Sequence, residues 1–252
     1  MEKKLLKRSL SFAMMIAVVF STIIASSFIK ANAAETEKAV TLTQGENTSQ
    51  HDTVQEAVAA VAADNTQAVI TLNKDFEGAG AVVKKDQNIV FNLNGFTWNI
   101  NSLVGSSGTE TNGVQLLQGS TVTIENGTLT SKTAKLLIQN YCDLTIRNAT
   151  LSGQDNLTEI IVSNNNGSTV ITGNSAVQAA AGGIAFDSDK WGGYQGGNVT
   201  LENGQVIGNV NATNGGKISL NGGTVTGDVI ASNYTYQGNE KTPANIVIDG
   251  AT

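Results

Sequence analysis

Two acidic and two aromatic residues occur together in one stretch of this chain, residues 186–195. Asp187 and Asp189 are one residue apart, and carboxylates so spaced in a glycine-rich loop can ligate calcium through oxygen. Trp191 and Tyr194 each present an apolar face with a polar edge, which suits stacking on sugar rings. The stretch therefore predicts a ligand-binding loop. The alternative is a solvated loop with Trp191 folded onto the wall of the protein. We expect no cofactor, with calcium as the one alternative.

The residue types that catalysis uses most often are scarce. The sole histidine, His51, is expected to be exposed just before a helix, so no Ser-His-Asp or Cys-His arrangement is predicted. Beyond residue 33 the sole arginine is Arg147, which is expected to be a solvated turn residue. Cys142 is the sole cysteine, so no intramolecular disulfide can form, and we expect it to pack as a small interior hydrophobe. No zinc-ligand spacing or phosphate-binding loop is present.

Residues 1–33 have the composition of an export signal. A basic start at residues 3–8 precedes an apolar run over 10–29 and the small-x-small site Ala31-Asn32-Ala33. We expect cleavage before Ala34 and a secreted or cell-surface protein. An uncleaved membrane anchor is the alternative, because the apolar run is long enough to span a bilayer.

The mature chain would be acidic. Without residues 1–33, Lys+Arg falls from 15 to 10 and Asp+Glu from 21 to 20, which leaves a net charge of −10. A negative surface repels phosphate backbones and anionic lipids. We therefore expect no nucleic-acid partner, and no membrane contact apart from the signal segment.

One amphipathic helix is predicted before the strand-rich part of the chain. The apolar positions that recur with helical spacing are Val54, Ala57, Val58 and Val61. Asp52 or Thr53 can N-cap this helix, and Thr53 with Glu56 has the spacing of a capping box. We expect the helix over residues 53–63, as a cap on the first coil of strands.

A short repeat organises the rest of the chain. Each copy is an apolar residue, a polar Asn/Gly turn and a second apolar residue, as in residues 124–129. The leading apolar positions are Leu93, Ile124, Ile146, Ile171, Leu201, Leu220 and Ile248. Variable gaps between copies indicate a strand-built solenoid whose turns absorb insertions. The single Pro agrees, because Pro disrupts paired strands.

Further strands and a side-chain ladder are predicted from the same pattern. Alternating apolar residues indicate strands at 40–42, 69–72, 81–83 and 89–93. Residues 102–112 read as a Gly/Ser-rich insertion without chemistry. Matching turn positions predict stacked, hydrogen-bonded side chains at Asn126, Asn148 and Asn203.

The helix and the strands after it resemble a known family. Residues 51–98, a helix followed by AVITLNKDF…VVKKDQNIVFNLNGFTW, resemble the opening of right-handed parallel β-helix proteins of the pectin-lyase-like superfamily. The later Asn-Gly turn units resemble coils of bacterial surface proteins and adhesins on that scaffold. The resemblance covers about residues 50–252. It implies an all-β, right-handed parallel β-helix with an N-terminal capping helix and an extracellular location, and it implies no activity.

The expected organisation is a signal peptide at 1–33, a lead-in and capping helix at 34–67, and β-helix coils over 68–252. The coils are expected to be cut off within a coil at the C-terminus. The chain is then either part of a longer protein or meets a partner at this end.

The family resemblance does not favour an enzymatic activity on polysaccharides. Polysaccharide lyases of this superfamily generally use a basic residue beside an Asp-rich calcium site, and its pectin hydrolases carry Asn-Thr-Asp, Asp-Asp and Gly-His-Gly motifs. Those hydrolase motifs are missing here. We expect a non-catalytic, adhesin-like module that binds polysaccharide or a host or microbial surface protein. The alternatives are an atypical polysaccharide lyase or hydrolase, with its site near Asp187, Asp189 and Lys190, and a purely structural stalk.

Overall fold

The computed structural model describes residues 37–153, 158–190, 193–232 and 242–252, so the predicted signal segment lies outside the described residues. The helix and strands lie in the compact unit Lys38–Thr252. The helix is α1, Val54–Ala60. The strands, in chain order, are β1 Val40–Gln44, β2 Asn47–His51, β3 Gln67–Leu72, β4 Phe76–Ala79, β5 Ala81–Val83, β6 Asn88–Asn92, β7 Thr97–Ser102, β8 Val104–Ser106, β9 Thr109–Leu116, β10 Thr121–Ser131, β11 Leu136–Asn140, β12 Asp143–Gly153, β13 Ile160–Asn164, β14 Asn166–Thr172, β15 Ala176–Ala179, β16 Ile184–Ser188, β17 Gly196–Leu201, β18 Gln205–Ile207, β19 Asn209–Thr213, β20 Lys217–Leu220, β21 Thr224–Thr226, β22 Val229–Ser232 and β23 Asn245–Ile248.

Parallel pairing stacks these strands into three faces. The first face contains β3, β6, β10, β12, β14, β17, β20 and β23. The second contains β4, β7, β15, β18 and β21, together with the later halves of β10 and β12. The third contains β5, β9, β11, β13, β16, β19 and β22. The fold is therefore all-β with long parallel sheets, consistent with a β-solenoid whose coils rise about 4.8 Å each.

Stacked apolar side chains fill the space between the three faces. Along the first face Phe91, Ile124, Ile146, Ile171 and Leu201 are successive register partners, and all are buried. Alternate residues on the same strands point outward, as the period of two in the sequence predicts. The strands predicted at 40–42, 69–72, 81–83 and 89–93 are confirmed as β1, β3, β5 and β6.

The first repeat is shifted by two residues from its predicted position. Ile124 pairs with Phe91 and not with the predicted Leu93. Leu93 instead enters the corner, where Asn94 and Gly95 both have positive φ, 53° and 84°. The corresponding corner of β10 needs one such residue, Asn126 with φ 59°. The longer turn therefore moves the strand residue that lies opposite Ile124.

The start of α1 is capped in the predicted way. Thr53 Oγ1 accepts a hydrogen bond from the Glu56 backbone N at 3.1 Å. Glu56 Oε2 accepts in return from the Asp52 backbone N, also at 3.1 Å. The return bond thus reaches one residue before the N-cap, while the rest of the capping box is as predicted.

The end of α1 comes earlier than the predicted residue 63. Val61 has left the helical conformation, with ψ 126°. Here the buried Gln87 side chain donates hydrogen bonds to the carbonyl oxygens of Val58, at 3.0 Å, and Val61, at 3.1 Å. The Val58 carbonyl also accepts from the Val61 backbone N at 3.3 Å, so the side chain of Gln87 adds to the bonds that close the helix end.

Two antiparallel hairpins interrupt the parallel pattern. β1 pairs antiparallel with both β2 and β3. β8 pairs antiparallel with β9, within the segment predicted as a plain insertion. The sequence predicted an insertion without specifying its structure, because alternation in segments this short is too weak to separate a hairpin from a loop.

The predicted Asn ladder is replaced by other bonds. Asn126 Nδ2 donates to Asn92 Oδ1 at 3.4 Å, and Asn148 Oδ1 accepts from the Asn174 backbone N at 3.0 Å. Asn126 and Asn148 do occupy one corner, with φ of 59° and 51°. At Asn203 the positive φ falls instead on the next residue, Gly204. The third predicted member therefore lacks the backbone conformation of the other two.

The last described coil leaves large apolar side chains exposed. They are Val229, Ile230, Val247 and Ile248. Within the described ranges, no helix has the length and apolar character that a membrane crossing requires.

Candidate functional site

Asp187 and Asp189 lie on the third face, where β16 ends. Phe186 and Ser188 flank Asp187 on β16 and are buried, so Asp187 points outward by strand alternation. Asp187 pairs in register with Ser163 on β13 and with Asn211 on β19. The prediction that this stretch is a flexible loop was wrong for Asp187, which is held on both sides by a parallel ladder.

A column of polar side chains runs through Asp187 from coil to coil. Its members, in register order, are Gln115, Gln139, Ser163, Asp187 and Asn211. Gln115 Nε2 donates to Gln139 Oε1 at 2.9 Å. This polar column was not predicted, because its members come from five different coils.

Tyr194 packs against a second tyrosine that the sequence analysis missed. The ring centroids of Tyr141 and Tyr194 are 4.7 Å apart, with an interplanar angle of 39°. Tyr141 directly follows β11, as Asp189 directly follows β16, so both lie at the same corner. Gln139 Nε2 donates to the Tyr141 hydroxyl at 3.0 Å. Aromatic and acidic side chains are therefore brought together beside the polar column.

Two buried asparagines position this corner. Asn165 Nδ2 donates to Asp189 Oδ1 and fixes the carboxylate. Asn166 Nδ2 donates to the Tyr141 carbonyl oxygen at 3.0 Å, and Asn166 Oδ1 accepts from the Gln195 backbone N at 3.3 Å. Asn166 thus holds the backbone of Tyr141 and of Gln195, the residue after Tyr194, which links both tyrosines to the solenoid.

A close backbone approach also holds the end of β16. An added Cβ at Gly216 would overlap the carbonyl oxygen of Ser188. Only glycine therefore allows the next coil to lie this close to the residue between the two carboxylates.

Burial raises the pKa values of the acidic groups at this corner. The pKa of Asp187 is raised from 3.8 to about 6, first by burial and then by the charge of Asp189. The pKa of Asp189 is also raised by burial, against the opposing hydrogen bond from Asn165. Burial, followed by the charges of Tyr194 and Asp189, raises the pKa of Tyr141 to about 12. Perturbed acids in one place are typical of functional sites.

The site holds acceptors that lack donors. Among the described residues, none donates a hydrogen bond to the Asp187 carboxylate. The neighbouring Asn211 Oδ1 is buried and has no hydrogen-bond partner. A buried acceptor without a donor costs about 1–3 kcal/mol, so a ligand that donates hydrogen bonds would be favoured here.

The remaining predicted members of the site are placed differently. The backbone N of Lys190 donates a hydrogen bond to the Asn214 carbonyl oxygen at 3.1 Å. In the part of the chain that is described, no Lys or Arg nitrogen lies within 4.0 Å of the Asp187 or Asp189 carboxylate. Trp191 lies outside the described residues.

The described ranges contain no cluster of three His, Cys, Asp or Glu side chains that could hold a metal ion. The calcium alternative thus rests on two carboxylates and neighbouring amide oxygens.

The other residues considered for chemistry lie elsewhere. Arg147 is exposed, as expected of a solvated residue, but it lies on β12 and not in a turn, where it forms an ion pair with Glu125. His51 ends β2, with Nε2 2.9 Å from Ser49 Oγ. Cys142 is buried as predicted, and burial raises the pKa of its thiol to about 12.

Two surface depressions lie near α1 and not at the acidic corner. One, of about 410 Å³, has Asp64 as its titratable lining residue, and the other, of about 220 Å³, has Lys84. Neither depression brings several ionisable side chains together. The third face, which does, is therefore the better candidate for a functional site.

No protein-family model, curated protein or solved structure matches this chain.

Proposed function

We propose that this protein is a secreted, non-catalytic β-helix module that binds glycan chains on its third face. The observation that carries the proposal is that two acceptors without a described donor, Asp187 and Asn211 Oδ1, lie on the same face as the stacked rings of Tyr141 and Tyr194. Sugar hydroxyls supply donors, and tyrosine rings supply the apolar surface on which pyranose rings pack.

The long axis of the glycan would follow the polar column. Gln115, Gln139, Asp187 and Asn211 present hydrogen-bonding groups along this column, whose steps are about 4.8 Å, while Ser163 is buried against Asn165. Regular spacing of this kind suits a polymer that repeats the same groups along its length. A host or microbial surface glycoprotein would be bound through the same sugars.

The proposal also covers the handedness of the coils, the role of α1 and the export of the chain. The coils are right-handed, as parallel crossover connections nearly always are. The helix α1, whose Val54, Ala57 and Val58 are buried, covers the first coil. Residues 1–33 direct export, which places the acidic solenoid at the cell surface or outside the cell.

The test is incubation of the full chain with a panel of plant, host and microbial polysaccharides, scored for retention. Tyr194→Ala should lower affinity for the retained polymer about tenfold, because it removes one of the paired rings. Glu46→Gln is the control, since Glu46 is exposed in the β1–β2 turn. Equal retention of Tyr194→Ala and the parent protein would move the site away from the third face. Retention of no polymer would leave a purely structural stalk as the function.

A second candidate function is an atypical polysaccharide hydrolase. The observation that favours it is the carboxyl pair itself, in which Asp187 has its pKa raised to about 6. Two carboxyls with different environments can share the acid and base roles in glycoside hydrolysis. A lyase is less favoured, because Arg147 is paired with Glu125 on another face. Release of new reducing ends in the same tubes, abolished by Asp187→Asn, would replace the binding proposal by this one.

A further inference from the structure

We propose that the sugar recognised on the third face carries a protonated amine, as in a de-N-acetylated hexosamine. This inference rests on the proposed glycan-binding function and adds the charge of the ligand to it.

The first supporting observation is uncompensated negative charge. Asp187 lies on β16 and Asp189 directly follows its end, near enough for its charge to act on Asp187, and no described Lys or Arg nitrogen is within 4.0 Å of either carboxylate. Elsewhere on the solenoid Glu125 is paired with Arg147, and Glu159 lies 3.3 Å from Lys135. Asp187 and Asp189 differ from these pairs, because they are half-buried acids with no described cation beside them.

The second observation concerns hydrogen-bond donors. Asn211 Oδ1 is buried without a partner and is next to Asp187 in the ladder. An ammonium group carries three donors and no acceptor, so one group could serve the carboxylates and this amide oxygen together. A hydroxyl carries one donor and would leave part of the set unsatisfied.

The third observation is the tyrosine pair. Tyr141 is in electrostatic contact with Asp189 and stacks with Tyr194 at 4.7 Å. The face of an aromatic ring attracts a cation, and this attraction adds to that of the carboxylates. Aromatic and acidic groups therefore favour the same ligand charge, whereas an N-acetyl group offers no charge to either.

The test compares two oligosaccharides of equal length, the hexamers of glucosamine and of N-acetylglucosamine, by titration calorimetry with the full chain. EDTA is present throughout, so that divalent cations do not contribute. We expect the glucosamine hexamer to bind at least about tenfold more tightly, with binding that weakens as salt is raised. Asp187→Asn and Asp189→Asn should each lower this affinity about tenfold, while Glu46→Gln should not. The thermal midpoint of each variant is measured alongside, to show that it is folded.

The outcomes separate this inference from the function on which it rests. Equal affinity for the two hexamers would overturn the amine inference and leave glycan binding in place. Binding of glucosamine that survives both Asp variants would also overturn it. In a parallel titration without EDTA, binding that requires added calcium would identify a metal site in place of the amine site. If neither hexamer binds and the polysaccharide panel is also negative, both proposals fail.

Discussion

Asn140 Nδ2 donates a hydrogen bond to Asn164 Oδ1 at 2.7 Å, and both side chains are fully buried. These residues are register partners on β11 and β13, and Thr169 donates to the same Asn164 oxygen at 2.9 Å. The solenoid thus contains a buried asparagine pair between coils, at a corner other than the one the turn pattern predicts. Such a polar group is costly unless all its partners remain in place.

Asn164→Ala should lower the free energy of unfolding by about 2–4 kcal/mol, because it leaves the buried Thr169 hydroxyl without its acceptor, removes one of the acceptors of Asn140 Nδ2 and leaves a cavity. The measurement is urea denaturation followed by circular dichroism. Asn203→Ala, at an exposed turn, is the control and should change stability by less than about 0.5 kcal/mol. Equal effects of the two substitutions would show that the buried pair is not a stabilising element.

Trp98→Phe should be much less destabilising than Trp98→Ala. Trp98 is buried against Phe91, with ring centroids 5.5 Å apart, and its Nε1 has no hydrogen-bond partner. Truncation to Ala should cost about 3–5 kcal/mol through the cavity it leaves. Phe keeps most of the packing and removes an unsatisfied buried N–H worth about 1–3 kcal/mol. Urea unfolding of both variants tests this, and a Phe variant as unstable as the Ala variant would contradict it.

Gly216→Ala should destabilise the protein by about 1–3 kcal/mol, since its methyl group would overlap the Ser188 carbonyl oxygen. It should also weaken glycan retention, because Ser188 separates Asp187 from Asp189. Gly193→Ala is the matched control, as no atom lies within 4 Å of an added Cβ there. Thermal unfolding and retention are measured on both variants. Loss of retention in Gly193→Ala alone would show that retention depends on the backbone at Gly193 and not on the contact between Gly216 and Ser188.

The stability of the protein should fall as pH rises from about 4 to about 6. The pKa of Asp187 is raised from 3.8 to about 6 by burial and then by Asp189. The folded state therefore binds more protons than the unfolded state in this window. The stabilising contribution is complete below pH 3.8 and is lost as pH rises through about 6. The pKa of Asp189 shifts in the same direction, while Tyr141, Tyr194 and Lys190 are the other ionisable side chains at this corner.

Asp187→Asn should raise the unfolding free energy at pH 7 by about 1–2 kcal/mol, less than the full pKa shift implies because solvent screens a half-buried group. It should also flatten the dependence between about pH 4 and 6. Urea unfolding at a series of pH values provides both quantities, with Glu46→Gln as the control. If the unfolding free energy of Asp187→Asn fell with pH as steeply as that of the parent protein, the pH dependence would come from another group.

The sequence was most informative where the pattern is local. The capping box of Thr53 and Glu56 and the alternation along β3 and β6 were predicted, because each depends on residues a few positions apart. The pairing of Phe91 with Ile124 was not, because it depends on the length of the turn at Asn94.

The candidate site was predicted in part for the same reason. Asp187, Asp189 and Tyr194 share one stretch of sequence, and their residue types indicated a ligand. Tyr141 and Asn211 come from other coils, and their positions in the sequence carry no sign of what they pack against.

The sequence by itself determined strands, turns and a helix start, because spacing, Asn/Gly turns and capping residues act over short distances. Only the tertiary structure decided which residues superpose from coil to coil. Turn lengths and core packing set the register, and a shift of one residue would turn Asp187 from the surface into the core. The candidate site on the third face depends on that register, which places Ser163, Asp187 and Asn211 in one column.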